Sequence, residues 1–155
     1  MSRFDITIQT ADFDLGRELA RMRAGDGRVG AVVSFVGTVR DHGEGVRISS
    51  LELEHYPGMT ESAIGEMVER ARARFGILAA RVIHRVGVLQ PHEQIVLVAV
   101  AAAHRSEAFA ACEYLMDYLK TGAPFWKKEQ TPAGARWVDA RESDERALRK
   151  WQAAG

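Results

Sequence analysis

The stretch QIVLVAVAAAHRSEAFAACEYLMDYLKTGAPFWKKE (residues 94–129) decides the fold class. Its opening, QIVLVAV (94–100), is a continuous apolar run with β-branched residues, which reads as a buried strand. From Ser106, a candidate N-cap, Phe109, Cys112, Leu115, Met116 and Leu119 recur at helical spacing. That predicts a helix over 106–120, ended by Pro124. FWKKEQT and ARWVDA then pair as a hairpin around Thr131-Pro132-Ala133-Gly134, and a last short helix, capped by Ser143, ends at Trp151.

Upstream, ARVIHRVGVL (80–89) reads as a strand joined to 94–100 by the tight turn Gln90-Pro91-His92-Glu93. FDITIQ (4–9) reads as an edge strand, followed by a helix over 13–24 and a turn at Gly25, Asp26 and Gly27. GAVVSFVGTVR (30–40) is a strong strand, and the loop DHGEG (41–45) separates it from ISSLELEHY (48–56). In the latter, Leu51 and Leu53 face one way and Glu52 and Glu54 the other, as in a half-buried antiparallel strand. Pro57 and Gly58 break it. Thr60 can cap a helix to about Phe75, with Ile64, Met67, Val68, Ala71 and Phe75 at its apolar positions. Strands and helices alternate irregularly, with hairpins among them. The expectation is one α+β domain, with mixed, largely antiparallel sheets and packed helices.

Composition narrows the function. Lys plus Arg equal Asp plus Glu at 21 each, so bulk attraction cannot hold a nucleic acid or an anionic membrane. An anion must be bound locally. IVLVAVAAA (95–103) is far short of the roughly 18 apolar residues of a membrane span. MSRFDITIQTADFD lacks the apolar run of a signal peptide, so a cytoplasmic protein is expected. The single Cys112 excludes an internal disulfide, and its place in the apolar stripe reads as core filler. His42, His55, His84, His92 and His104 show no ligand spacing, so no metal is expected. GDGRVG (25–30) has the letters of a dinucleotide fingerprint, but a helix precedes it and a strand follows, the reverse of what that motif needs.

Three places could carry chemistry. His104-Arg105-Ser106 lies where a buried strand meets a helix N-terminus, a natural anion cradle; alternatively Arg105 pairs with Glu107 or Glu113 on the surface. Arg40 closes an apolar strand just before a glycine-containing loop. Lys120 lies four residues after Met116, on the border of the apolar stripe, and Phe125 and Lys127 share one face of the following strand. Both lysines could line a crevice, where partial desolvation and neighbouring cations would lower an amine's pKa. The competing reading pairs Lys120 with Asp117 and leaves Lys127 and Lys128 as hairpin charges. Aromatics among lysines could also stack single-stranded nucleic acid, but Glu113, Asp117 and Glu129 nearby argue against it.

MDYLKTGAPFWKKE (116–129), preceded by HRS (104–106), resembles the large subunit of molybdopterin synthase. So do FVGTVRD (35–41), LEHYPGM (53–59), VIHRVG (82–87) and RWVDAR (136–141), all in the family's order. The resemblance spans Ser34 to Arg141, about two-thirds of the chain. It implies an α/β-hammerhead fold and a homodimer within a heterotetramer, with a small ubiquitin-like sulfur-carrier subunit at each end. That partner's C-terminal Gly-Gly thiocarboxylate would supply sulfur to cyclic pyranopterin monophosphate, forming the molybdopterin dithiolene with no cofactor. Lys120 is then the first choice for the catalytic group and Lys127 the second. Arg40, His104 and Arg105 become candidates for the substrate phosphate, Arg141 for a further substrate contact across the dimer. Phe35, Met116, Pro124 and Phe125 would form the apolar wall. The alternative is a dimeric adaptor that binds a ubiquitin-like tail without chemistry.

Overall fold

The structure, a computed structural model, describes residues 3–138 and 142–154. Along the chain run β1 (Phe4–Gln9), α1 (Leu15–Arg23), β2 (Ala31–Thr38), the two-residue strands β3 (His42–Gly43) and β4 (Val46–Arg47), β5 (Ser50–His55) and α2 (Met59–Phe75). Then come β6 (Ala79–Arg85), β7 (Gly87–Leu89), β8 (Gln94–Ala102), α3 (Arg105–Gly122), β9 (Phe125–Thr131), β10 (Gly134–Val138) and α4 (Glu142–Ala154). Two four-stranded sheets result, ordered β1-β6-β8-β2 and β10-β9-β5-β7. Only the β1–β6 pairing within them is parallel. This is the expected α+β architecture, with β1 at an edge.

The unbroken apolar run of β8 is explained by burial on both faces. Val96, Val98, Val100 and Ala102 face a core shared with Ile64, Met67, Val68 and Ala71 of α2 and Ala108, Ala111, Cys112, Leu115 and Leu119 of α3. Leu97, Ala99 and Ala101 join a second cluster with Met22 of α1 and Ile83 of β6. A third, smaller core joins Val39, Leu51, Leu53 and Leu89 beneath the second sheet. Leu51 and Leu53 are buried while Glu54 is exposed, as their alternation predicts.

Four local expectations are corrected. The segment 80–89 is two strands, because Gly87 (φ 92) turns the chain from the first sheet into the second at a backbone angle glycine adopts cheaply. α2 is capped at Gly58 (φ 84), whose N–H donates to the Glu61 carboxylate at 2.9 Å. Thr60 lies inside that helix, fully buried, with its hydroxyl donating to the Tyr56 carbonyl at 2.9 Å. α3 begins at Arg105 with His104 as its cap, two residues before Ser106. Its inward stripe therefore starts at Ala108, and Phe109 stands 61% exposed.

Candidate active site

Two layers converge at the end of α3. The helix lies on the first sheet and delivers Lys120 in its last turn. After Gly122 the backbone becomes extended at Ala123, and Phe125 N–H donates to the Ala123 carbonyl at 2.8 Å. β9 then enters the second sheet, pairing with β5 from Phe125 opposite His55 to Gln130 opposite Ser50. Strand alternation sends Phe125, Lys127 and Glu129 one way. Trp126 and Lys128 point the other way: the Trp126 indole donates to Glu54 Oε2 at 2.8 Å and meets Tyr56 edge-on, and the Lys128 ammonium lies over Trp137.

Between the layers is a cavity of about 330 Å³. Arg40, Lys120, Phe125 and Lys127 line it, so four of the residues singled out by sequence meet there. Lys120 is exposed and Lys127 partly buried, so the crevice is wetter at Lys120 than its spacing suggests. Among the described residues Lys120 makes no ion pair; Asp117, its competing partner, accepts from the Trp151 indole at 2.6 Å. Ile48, Leu51 and Ile95 supply apolar wall beside Phe125.

Other candidates lie elsewhere. Met116 packs against the main core, and Pro124 sits in the turn between the lysines without lining the cavity. Phe35 stands 38% exposed on β2, away from that lining. His104 and Arg105 are exposed at the opposite end of α3, about 22 Å from Lys120 at the helical rise of about 1.5 Å per residue. Arg141 is outside the described residues.

The sequence reading missed two acids. Glu129 and Asp144 line the cavity among its three cations, leaving an excess of positive charge for an anionic ligand. Glu129 was discoverable, since alternation puts it on the face of Phe125 and Lys127. Asp144 reaches the cavity from α4, across a distance no local pattern encodes. Among the described residues no group of three or more His, Cys, Asp or Glu could hold a metal ion, and no helix is long and apolar enough to cross a membrane.

Behind Phe125 lies His84, 6% exposed, its ring stacked on the phenyl with centroids 3.8 Å apart and planes at 17°. Its Nδ1 lies 2.8 Å from the Arg85 carbonyl. Burial, aided by the charges of Lys127, Lys120 and His55 and opposed by that hydrogen bond, holds the imidazole's pKa down at about 4. Cys112 is also buried; its thiol donates to the Val98 carbonyl at 3.6 Å, and burial pushes it up to about 11.

The family model described as MoaE protein matches residues 8–122. A molybdopterin synthase catalytic subunit from Ralstonia nicotianae is 64% identical, over 94% of this chain and 83% of that protein. The structure of a molybdopterin biosynthesis MoaE protein from Burkholderia ambifaria matches with a TM-score of 0.82 at 54% identity, covering 95% of this chain and 97% of that one. A chain in the complex of subunits 1 and 2 of molybdopterin-converting factor from Helicobacter pylori shares the fold at TM-score 0.69 and 21% identity, covering 90% and 92%. The match over most of the core and the lysine-bearing turn agree: the chain belongs to the MoaE family, the catalytic subunits of the enzyme molybdopterin synthase, in molybdenum cofactor biosynthesis.

Proposed function

We propose that the cavity beside Lys120 and Lys127 is where sulfur passes from the C-terminal thiocarboxylate of a small ubiquitin-like partner to cyclic pyranopterin monophosphate, forming the molybdopterin dithiolene. The observation that carries this reading is the meeting of Arg40 from the β2–β3 connection, Lys120 from α3 and Lys127 from β9 on one cavity with an apolar wall at Phe125. An anionic pterin and an anionic tail both need such local positive charge. The partner is supported by the Helicobacter pylori structure, described as a complex of two subunits of molybdopterin-converting factor.

In this reading the thiocarboxylate sulfur bonds to a substrate carbon as a C–O bond at that carbon breaks and its oxygen leaves, taking up a proton. Water then cleaves the acyl C–S bond of the resulting thioester, leaving sulfur on the substrate and the partner's tail as a carboxylate. Lys120 handles protons and stabilises the oxyanions that develop, while Lys127 orients substrate or tail. No protein thiol is required, in keeping with the burial of Cys112. His104 and Arg105 are too far along α3 to serve the pocket of their own chain. In the homodimer that the resemblance implies, they and Arg141 would serve the pocket of a second copy.

A single-turnover assay tests this. The protein is mixed with thiocarboxylated small subunit and cyclic pyranopterin monophosphate, and the dithiolene product is sought by mass spectrometry. Product with the native chain, lost in a folded Lys120→Ala, is expected. Near-native turnover in Lys120→Ala would remove that lysine from the mechanism, and a stable complex without product would leave a tail-binding adaptor.

A further inference from the structure

His84 lies outside the cavity lining, yet it occupies the place where the two sheets are joined beside it. β6 ends at Arg85, and Gly87 carries the chain into the second sheet. The Arg85 carbonyl sits at that crossing, and the His84 ring serves it with a hydrogen bond of 2.8 Å. A carbonyl only accepts, so Nδ1 carries a proton, and because burial holds the ring's pKa at about 4 it is the neutral Nδ1–H tautomer near pH 7. The same ring lies flat on Phe125, the first residue of β9 in the second sheet.

This geometry bears on the lysines, because they stand on different layers. Lys120 ends a helix packed on the first sheet, and Lys127 is two residues beyond Phe125 on the second. The short link through Gly122 and Ala123 belongs to neither sheet. A contact that ties the root of β9 to β6 therefore sets how the two amines face each other. We infer that His84 is a positioning residue for the lysine pair, its ring holding Phe125, and through β9 Lys127, in register with Lys120. The inference rests on the lysine reading above. A flat ring is needed for the stack, and a neutral one suits a position that feels both lysine charges.

The test measures kcat and KM for dithiolene formation from cyclic pyranopterin monophosphate and thiocarboxylated small subunit, in His84→Asn, His84→Phe and Lys120→Ala. His84→Asn, which loses the aromatic face, lowers kcat about tenfold or more while KM stays within about threefold, because the cations remain but are misaligned. His84→Phe restores a flat ring and recovers kcat to within about threefold of native. Native kcat in a folded His84→Asn, or equal losses in both variants, would overturn the role. If Lys120→Ala is inactive and His84→Asn is native, only the His84 inference falls; if Lys120→Ala turns over normally, the lysine reading falls with it.

Should His84→Asn fail to fold, the native ring can be read by NMR. The expected signature is an Nδ1-protonated neutral imidazole whose ring protons are shifted upfield by Phe125, with that shift lost in Phe125→Leu. Ring resonances indifferent to Phe125→Leu would overturn the stack.

Discussion

Arg136 grips the Glu129 carboxylate with two donors, Nε at 3.0 Å and Nη2 at 2.9 Å, and the same Nη2 donates to the Gly43 carbonyl at 3.1 Å. The two residues are direct cross-strand partners on β10 and β9, so one guanidinium ties that hairpin to the end of β3, shortly after Arg40. Glu129 is buried, whereas Arg136 keeps 35% of its side chain exposed. Arg136→Met would strand a buried carboxylate. The expected cost is about 2 kcal/mol, below that of a fully buried pair because water still reaches the guanidinium side. In a chain of this size the melting temperature would fall by about 4–8 °C. Calorimetry checks this, and an unchanged melting temperature would show that the pair contributes nothing net.

Lys127 is expected to act through charge and position. Lys127→Ala should raise KM for the pterin about 10–100-fold, the worth of a charge-assisted hydrogen bond of about 1.5–3 kcal/mol. Lys127→Arg should recover part of that loss, since a guanidinium keeps the charge but is bulkier and effectively never deprotonates. Steady-state kinetics at saturating small subunit separates the two effects. If Lys127→Arg is as impaired as Lys127→Ala, positive charge alone does not account for Lys127, and its role requires the lysine's own shape or a proton that it gives up.

The strands and helices were largely legible because burial has a local period. β8 lies between two cores and reads as continuous apolar sequence, while β5 covers one and alternates. What failed were junctions, where one residue's backbone angle outweighs the pattern. Gly87 divides an otherwise continuous strand, and Gly58 takes the cap that Thr60 appeared suited to. The site was legible where neighbours in sequence share a face, as with Phe125 and Lys127. It was illegible where long-range packing brings in Asp144 from α4, or His84 from β6 behind Phe125. The family motifs grouped His104 and Arg105 with the lysines, but helix length separates them within one chain.

Cys112 should be chemically silent. With its thiol pushed up to about 11 and its side chain buried, little thiolate exists at neutral pH and access is poor. Maleimide labelling of the folded chain should be slower by about a hundredfold or more than in urea, where the thiol is free. Cys112→Ala should keep turnover within about twofold of native. A collapse of turnover in a folded Cys112→Ala would mean that sulfur passes through this residue.

His84 gives stability a pH dependence of definite sign. Its folded pKa of about 4 lies below the ordinary 6.5, so protons bind the unfolded chain more readily. Its contribution is complete above about pH 6.5, declines as pH falls, and is gone below about pH 4. The gap between the two values is worth about 3 kcal/mol at most. Asp12, Asp26 and Asp41 are also held below their ordinary value by hydrogen-bonding partners, but their losses begin near and below pH 4, under this window. Urea unfolding at pH 7, 5.5 and 4.5 should therefore show native stability falling while that of His84→Phe, which cannot titrate, stays flatter. Parallel curves for the two proteins would assign the loss to other groups and leave the buried imidazole without a part in it.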